Sequence, residues 1–255
     1  NGTTGEDTIN FSVSGTITLS SELLLTDSAR TTINGSHAIT VSGNNVTRVF
    51  RLGSGSATTL DQLTISGGVA DFGGGIYNSG ELTVSNSTLG GNSASEGGGI
   101  YNSGTVTVNN STFSGNSATY YGGGISNSGT AIVSNSTLSG NSSYYFWGGG
   151  IYNSGTVTVS KSTLSGNSAY GGGGGIYSYS GELTVSDSTF SGNLLTENYA
   201  VGGGIANGYS TATVSNSTFS SNSGFYGGGI SNGGTMTVSN STFSSNSGFY
   251  GSIFY

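Results

Sequence analysis

The chain holds eleven acidic and four basic side chains and a single histidine, and these are its stock for acid–base chemistry. Glycoside hydrolysis needs two carboxylates about 5 to 9.5 Å apart, and lyase chemistry on uronates needs a base with a cation beside the substrate carboxylate. Beyond residue 72 the only charged residues are Glu81, Glu96, Lys161, Glu182, Asp187 and Glu197. Glu81 and Glu182 occupy equivalent places in a repeat but stand four repeats apart, about 19 Å at the ~4.8 Å spacing of paired strands. That is too far for a catalytic pair. Asp187 stands one repeat from Lys161 in the same column, where the two charges could pair. Upstream, Glu22, Asp27, Arg30, Arg48, Arg51, Asp61 and Asp71 are the remaining place for a site. Arg48 and Arg51 flank Val49 and Phe50 in a strand-like stretch and are expected to bridge to acidic neighbours. His37 is alone and cysteine is absent, so a zinc site, thiol catalysis and disulfides have no ligands to use. The glycine triplets are followed by Ile, not by the Gly-x-Asp of calcium-binding repeats. The expectation is no catalytic residue, no metal and no cofactor.

Composition narrows the field further. Charged residues make up 6% of the 255 residues, against a usual ~25%. The net charge of -7 would repel nucleic acid and anionic membranes. No run of 18 apolar residues is present to cross a bilayer as a helix, and no membrane insertion is expected. The first residue is Asn1 and no signal peptide is seen, so the sequence reads as a processed or excised chain. Gly, Ser, Thr and Asn abundance would suit disorder, but 15 Tyr and 11 Phe argue for a packed fold.

The elements that must position these residues come from a repeat. The unit GGGIYNSGTVTVSNSTFSGNSA recurs from Gly73 onward, anchored at Ile76, Ile100, Ile125, Ile151, Ile176, Ile205 and Ile230, with a partial copy at Ile253. From the valine of each T-V-T-V segment to the asparagine of each F/L-x-x-N segment the distance is constant, as in Val84 to Asn92 and Val238 to Asn246. The insertions fall between that asparagine and the next isoleucine. Each unit thus has two legs of nearly fixed length and one variable corner.

Within a leg, apolar residues alternate with polar ones, as in Glu81-Leu82-Thr83-Val84-Ser85, the pattern of a strand buried on one face. No unit contains a helical segment long enough for a βαβ crossover. A unit of about 24 to 25 residues that winds once and lays each strand on its counterpart satisfies both facts. The fold class expected is all-β, a right-handed parallel β-helix of roughly ten coils. Its inward columns are the seven isoleucines, Leu82/Val106/Ala131/Val157/Leu183/Ala212/Met236, Val84/Val108/Val133/Val159/Val185/Val214/Val238 and Leu89/Phe113/Leu138/Leu164/Phe190/Phe219/Phe243. Residues 1–72 carry the same strand grammar in Gly15–Leu19, Ala38–Val41 and Leu63–Ile65 and are read as an N-terminal cap with the first coils, and 73–255 as the repeat proper, in one continuous domain.

Asparagine stands near each bend, as at Asn78, Asn86 and Asn92. Asn tolerates left-handed backbone, and its amide can bond to the Asn one coil away. The column Asn86, Asn110, Asn135, Lys161, Asp187, Asn216 and Asn240 is read as a structural ladder, with surface glycosylation at Asn-x-Ser/Thr as the other reading.

The pairing of GGGI with F/L-x-x-N, as in Gly97-Gly98-Gly99-Ile100 and Phe113-Ser114-Gly115-Asn116, resembles the repeats of polymorphic outer-membrane proteins of the autotransporter class. The stretch from Asp7 to Ser20, with Thr47 to Gly55 and Leu63 to Gly68, is similar to the N-terminal region of large bacterial surface proteins with such repeats. The resemblance implies a secreted right-handed β-helix used for adhesion or surface structure. No membrane β-barrel domain follows Tyr255, so outer-membrane attachment of the autotransporter kind is not expected.

The variable corner is where function is expected. It carries Tyr120, Tyr121, Tyr144, Tyr145, Phe146, Trp147, Tyr170, Phe225, Tyr226, Phe249 and Tyr250, and the interface assigned from sequence also takes in Phe254 and Tyr255. Stacked coils would make of them an aromatic ridge, either an exposed surface or a flap folded over the glycine triplets. Threonine pairs such as Thr105/Thr107 raise a flat ice-binding face, but Glu81, Ile132 and Glu182 interrupt them, and β-branched residues suit any outward strand face. The last copy opens another GGGI unit and stops without charge, proline or cap, so the chain is either a fragment of a longer solenoid or offers its edge to a second copy, head to tail. The function expected is a non-enzymatic extracellular structural β-solenoid that self-associates into a fibre or surface layer. The alternatives are a cell-surface adhesin binding a glycan or partner protein, and a polysaccharide-active enzyme.

Overall fold

A segment such as Thr105-Val106-Thr107-Val108-Asn109 can bury only alternate residues, and the chain turns that constraint into a tube. A computed structural model describes residues 5–254, and every regular element among them is a strand. Thr105–Asn109 places Val106 and Val108 inside with no exposed surface. The backbone then bends at Asn110, which takes the left-handed φ of 50° that Asn accepts more readily than most residues. Thr112–Ser114 follows with Phe113 inside, then Ser117–Tyr121 at the variable corner, and Ile125–Asn127 returns the chain to its starting side. One turn of a right-handed parallel β-helix is complete, and about ten such coils stack.

Three parallel sheets result, of 18, 6 and 10 strands. The largest carries the valine and phenylalanine legs, the smallest the corner, and the ten-stranded one the isoleucines. Ile76, Ile100, Ile125, Ile151, Ile176, Ile205, Ile230 and Ile253 are partners in unbroken succession. The valine and phenylalanine columns pair without slip in the same way, as in Val108 with Val133 and Phe113 with Leu138. The first coils are built alike: Gly15–Thr18 lies on Ile39–Ser42, and Leu23–Leu25 on Phe50–Leu52. A register shift between Asn34 and Ile39 marks the longest strand, Thr31–Ser42, where Ser36 and His37 take positive φ, and another falls at the corner between Ala94 and Glu96.

The core is the expected set of columns as far as Ile230, with Phe113, Phe190 and Phe219 fully buried and Phe190 stacked on Phe219 at 4.8 Å, while Met236, Val238 and Phe243 of the last coil are partly buried against it. Burying such rings and aliphatic side chains stabilises the tube by roughly 1.5 to 3 kcal/mol each. Two polar columns run beside it. In one, Asn92, Asn116, Asn141, Asn167, Asn193, Asn222 and Asn246 pass an amide hydrogen bond from coil to coil at 2.8 to 3.0 Å. The other runs from Asn78 through Asn102 and Asn127 to Asn153, which donates to the hydroxyl of Ser178.

This relocates the asparagine ladder. Asn86, Asn110, Asn135, Lys161, Asp187, Asn216 and Asn240 all sit at φ between 46° and 51°, so the column makes the bend. A left-handed residue there turns its side chain outward, and the amides do not form a continuous chain. Asn110 donates to Asn86, but Asn135 donates to Asn109. Lys161 and Asp187 are exposed and do not pair: the ion pairs among the described residues are Arg30–Glu81, Arg48–Glu22 and Arg51–Glu22.

Candidate functional site: an aromatic ridge

In Ile151-Tyr152-Asn153 the isoleucine and asparagine point inward, so the residue between them must point out. Its column reads Tyr77, Tyr101, Ser126, Tyr152, Tyr177, Ala206, Ser231 and Phe254 along paired coils. The corner aromatics lean onto this column. Tyr121 lies 4.7 Å from Tyr152, and Trp147 stacks on Tyr177 at 4.8 Å with planes 10° apart. Phe146 stacks on Tyr121, and Tyr120 touches both Tyr145 and Phe146. A second group at the later coils pairs Phe225 with Phe249 and Tyr226 with Tyr250 in near-parallel stacks, and Phe254 closes on Tyr226.

The rings therefore form a surface ridge and not a flap over the glycine triplets. The space that glycine leaves is taken by backbone: a Cβ on Gly123 would meet the carbonyl oxygen of Ser142 at 2.4 Å. The outer rings face water, with Tyr144 67%, Tyr145 60% and Phe249 75% exposed. Tyr170 stands apart, with no ring contact among those found for the described residues; a hydrogen bond to the Glu197 carboxylate raises the pKa of its phenol. Tyr255 lies outside the described residues. The tyrosines at 77, 101, 152, 177, 179 and 209 escaped the sequence reading, although the in-out-in pattern of I-Y-N was the signal for three of them and I-Y-S for Tyr177.

Electrostatics on this face are sparse. Burial raises the pKa of Glu96 and of Tyr101 and Tyr121 beside it, and raises that of Tyr152 further. Burial also pushes Tyr177 up to about 12, with the neighbouring phenols adding to the effect. At the N-terminal end of the column Arg48 and Arg51 both reach Glu22 and both lie over the ring of Tyr77, at 5.3 and 5.5 Å. Arg48 also donates to the carbonyl oxygens of Phe72 and Gly73. These two arginines thus tie the first coils together, as expected.

Two further carboxylates, Glu81 and Asp61, are engaged locally. Glu81 is held by Arg30 at 2.5 Å. Burial pushes the Asp61 carboxyl up, but hydrogen bonds from Ser85, Asn86 and Gln62 outweigh it and hold the group below its ordinary value. Among the described residues no three His, Cys, Asp or Glu gather as metal ligands would. On the valine face, Glu81, Ile132 and Glu182 break the threonine rows with exposed side chains. What this molecule can do with most surface area is therefore contact through rings.

A family model described as a right-handed β-helix region matches residues 21–219. No curated protein and no solved structure matches the chain.

Proposed function

The chain belongs to the right-handed β-helix family, and on that premise we propose that it is a non-enzymatic, extracellular β-solenoid that self-associates through its aromatic ridge as a structural and adhesive surface element. One observation carries the reading: the core columns are complete without the ridge, yet rings continue outside the core from Tyr77 to Phe254, many of them half exposed. Contiguous apolar surface of this kind is usual at contact sites and uncommon elsewhere. Copies carrying a net charge of -7 repel one another; the ridge carries Glu22 paired with Arg48 and Arg51 at its Tyr77 end, and further along Glu96 and Glu197 stand near it. The engagement of Glu22, Glu81 and Asp61 by local partners supports a non-enzymatic role. The outer-membrane-type repeat resemblance supports a surface location.

Columns that run without slip would also accept a coil from a second copy, so head-to-tail stacking into a fibre or layer is the longitudinal form of the same proposal. The test is sedimentation and electron microscopy of the protein beside a variant with Tyr144, Tyr145 and Phe249 replaced by Ser. The parent should form oligomers or filaments with rising concentration, and the variant should keep its β-sheet circular dichroism and lose the lateral association of the ridge. A parent that is monomeric throughout, or cleavage products from uronic-acid polymers, would overturn the proposal.

A further inference from the structure

The outward column of the isoleucine sheet has two kinds of gap. Ser126 leaves out one ring between Tyr101 and Tyr152, and Tyr121 reaches over from the corner to fill the place. Further along, Ala206 and Ser231 leave out two rings in succession between Tyr177 and Phe254. Three strand spacings separate those rings, about 14 Å. At Ser231 the corner ring Tyr226 reaches over to Phe254 at 5.1 Å, but at Ala206 the equivalent corner place holds Val201, and no ring closes the gap there. Val201 forms part of its floor, and an open recess of about 340 Å³ remains.

The recess has a definite chemistry. Tyr177 and Phe254 stand at its two ends and Tyr209, 78% exposed, forms its lip. Ser231 and Asn232 supply polar groups along its edge, and no charged residue lines it. The Tyr177 wall is fixed from behind, since Trp147 stacks on that ring at 4.8 Å and Tyr152 at 6.1 Å. Tyr209 meets Tyr179 edge-on at 5.8 Å, which props the lip outward. Asn207 beneath is occupied by Asn232, Ser210 and Thr235 and stiffens the floor.

From this we infer that the Tyr177–Tyr209–Phe254 recess is a binding site for a neutral pyranose, of one or two sugar rings. A pyranose has an apolar C–H face that lies flat on an aromatic ring and a hydroxylated rim that meets serine, amide and phenol groups. A recess near the lower end of the ~300 to 1,000 Å³ usual for ligand pockets admits a mono- or disaccharide. An anionic ligand finds no cation here, and an ammonium finds no carboxylate. The site shares Tyr177 and Phe254 with the ridge, but its lining excludes Tyr144, Tyr145 and Phe249, the rings whose replacement tests self-association.

Trp147 is the single tryptophan of the chain and backs the Tyr177 wall, so its fluorescence reports the site directly. The experiment titrates glucose, galactose, mannose, N-acetylglucosamine and their disaccharides into monomeric protein, with fluorescence and saturation-transfer NMR as readouts. Glucuronic acid and an aromatic tripeptide serve as competing probes. At least one neutral sugar should bind saturably. Tyr209→Ser should weaken it about tenfold, and Ser231→Tyr, which restores the ring that other coils carry, should abolish it with the fold intact. The variant with serine at 144, 145 and 249 should bind sugar as the parent does, so loss of self-association and loss of sugar binding are separate results. Absence of saturable binding by every neutral sugar, preference for the acid or the peptide, or binding unchanged by Ser231→Tyr would overturn the inference.

Discussion

Asn116 and Asn141 stand one coil apart in the interior, and the Nδ2 of the first donates to the Oδ1 of the second at 2.9 Å. Asn141 in turn donates to Asn167 and to the carbonyl of Phe113, and accepts from the backbone N–H of Asn116. Asn141→Leu would leave several of these buried groups unpaired, each costing about 1 to 3 kcal/mol. The urea midpoint should fall by an amount equivalent to about 3 kcal/mol or more. A midpoint within error of the parent would show that water replaces the amide and that the ladder is not a source of stability.

At the bend the same residue type has a different task. Asn135 is exposed, has φ of 49° and uses its side chain for one surface hydrogen bond to Asn109. Asn135→Gly keeps the left-handed backbone at little strain, so thermal stability should change by less than about 1 kcal/mol. Asn135→Val, whose branched side chain opposes this φ, should cost more than about 1 kcal/mol. Equal effects from the two substitutions would show that backbone conformation is not what the column selects.

Ser143 occupies a place held by alanine in neighbouring coils, opposite Ala118 and Ala169. Its hydroxyl is buried without a hydrogen-bond partner among the described residues. Ser143→Ala removes that unmet donor and should raise stability by about 1 kcal/mol, since a buried polar group without a partner costs about 1 to 3 kcal/mol. Calorimetric melting of the pair decides it, and a lower melting temperature for the alanine variant would refute the assignment.

These contrasts explain how far the sequence could be read. Leu82, Val84 and Leu89 declare themselves because a period of two fixes which residues point inward and because the legs never change length. The two asparagine roles look alike within one repeat, since both lie at bends, and only the sign of φ and the direction of the side chain separate them. The clue lay across the repeats: a column that admits Lys161 and Asp187 must face solvent, while the column of Asn92 and Asn141 holds only amides. The recess was hidden for another reason. Ala206 and Ser231 are unremarkable by themselves, and their meaning depends on Tyr121 filling the gap at Ser126 while the same corner place beside Ala206 holds Val201 and no ring.

The ridge also makes a prediction about alkali. A free tyrosine titrates near 10, whereas burial pushes Tyr177 up to about 12, and Tyr152 is raised as well. Raised pKa values mean that the folded state favours the protonated phenol and the unfolded chain releases the proton first. The associated stability is present in full below about pH 10 and is lost as pH climbs through about 12. Absorbance at 295 nm between pH 9 and 12 should therefore show a late group of tyrosines, Tyr152 and Tyr177 among them, that ionises only as the chain unfolds. Tyr177→Phe should shrink the late group and shift alkaline unfolding to higher pH. If every tyrosine titrates together near 10 while circular dichroism is unchanged, the inner rings of the ridge are open to water and its stacked geometry is wrong.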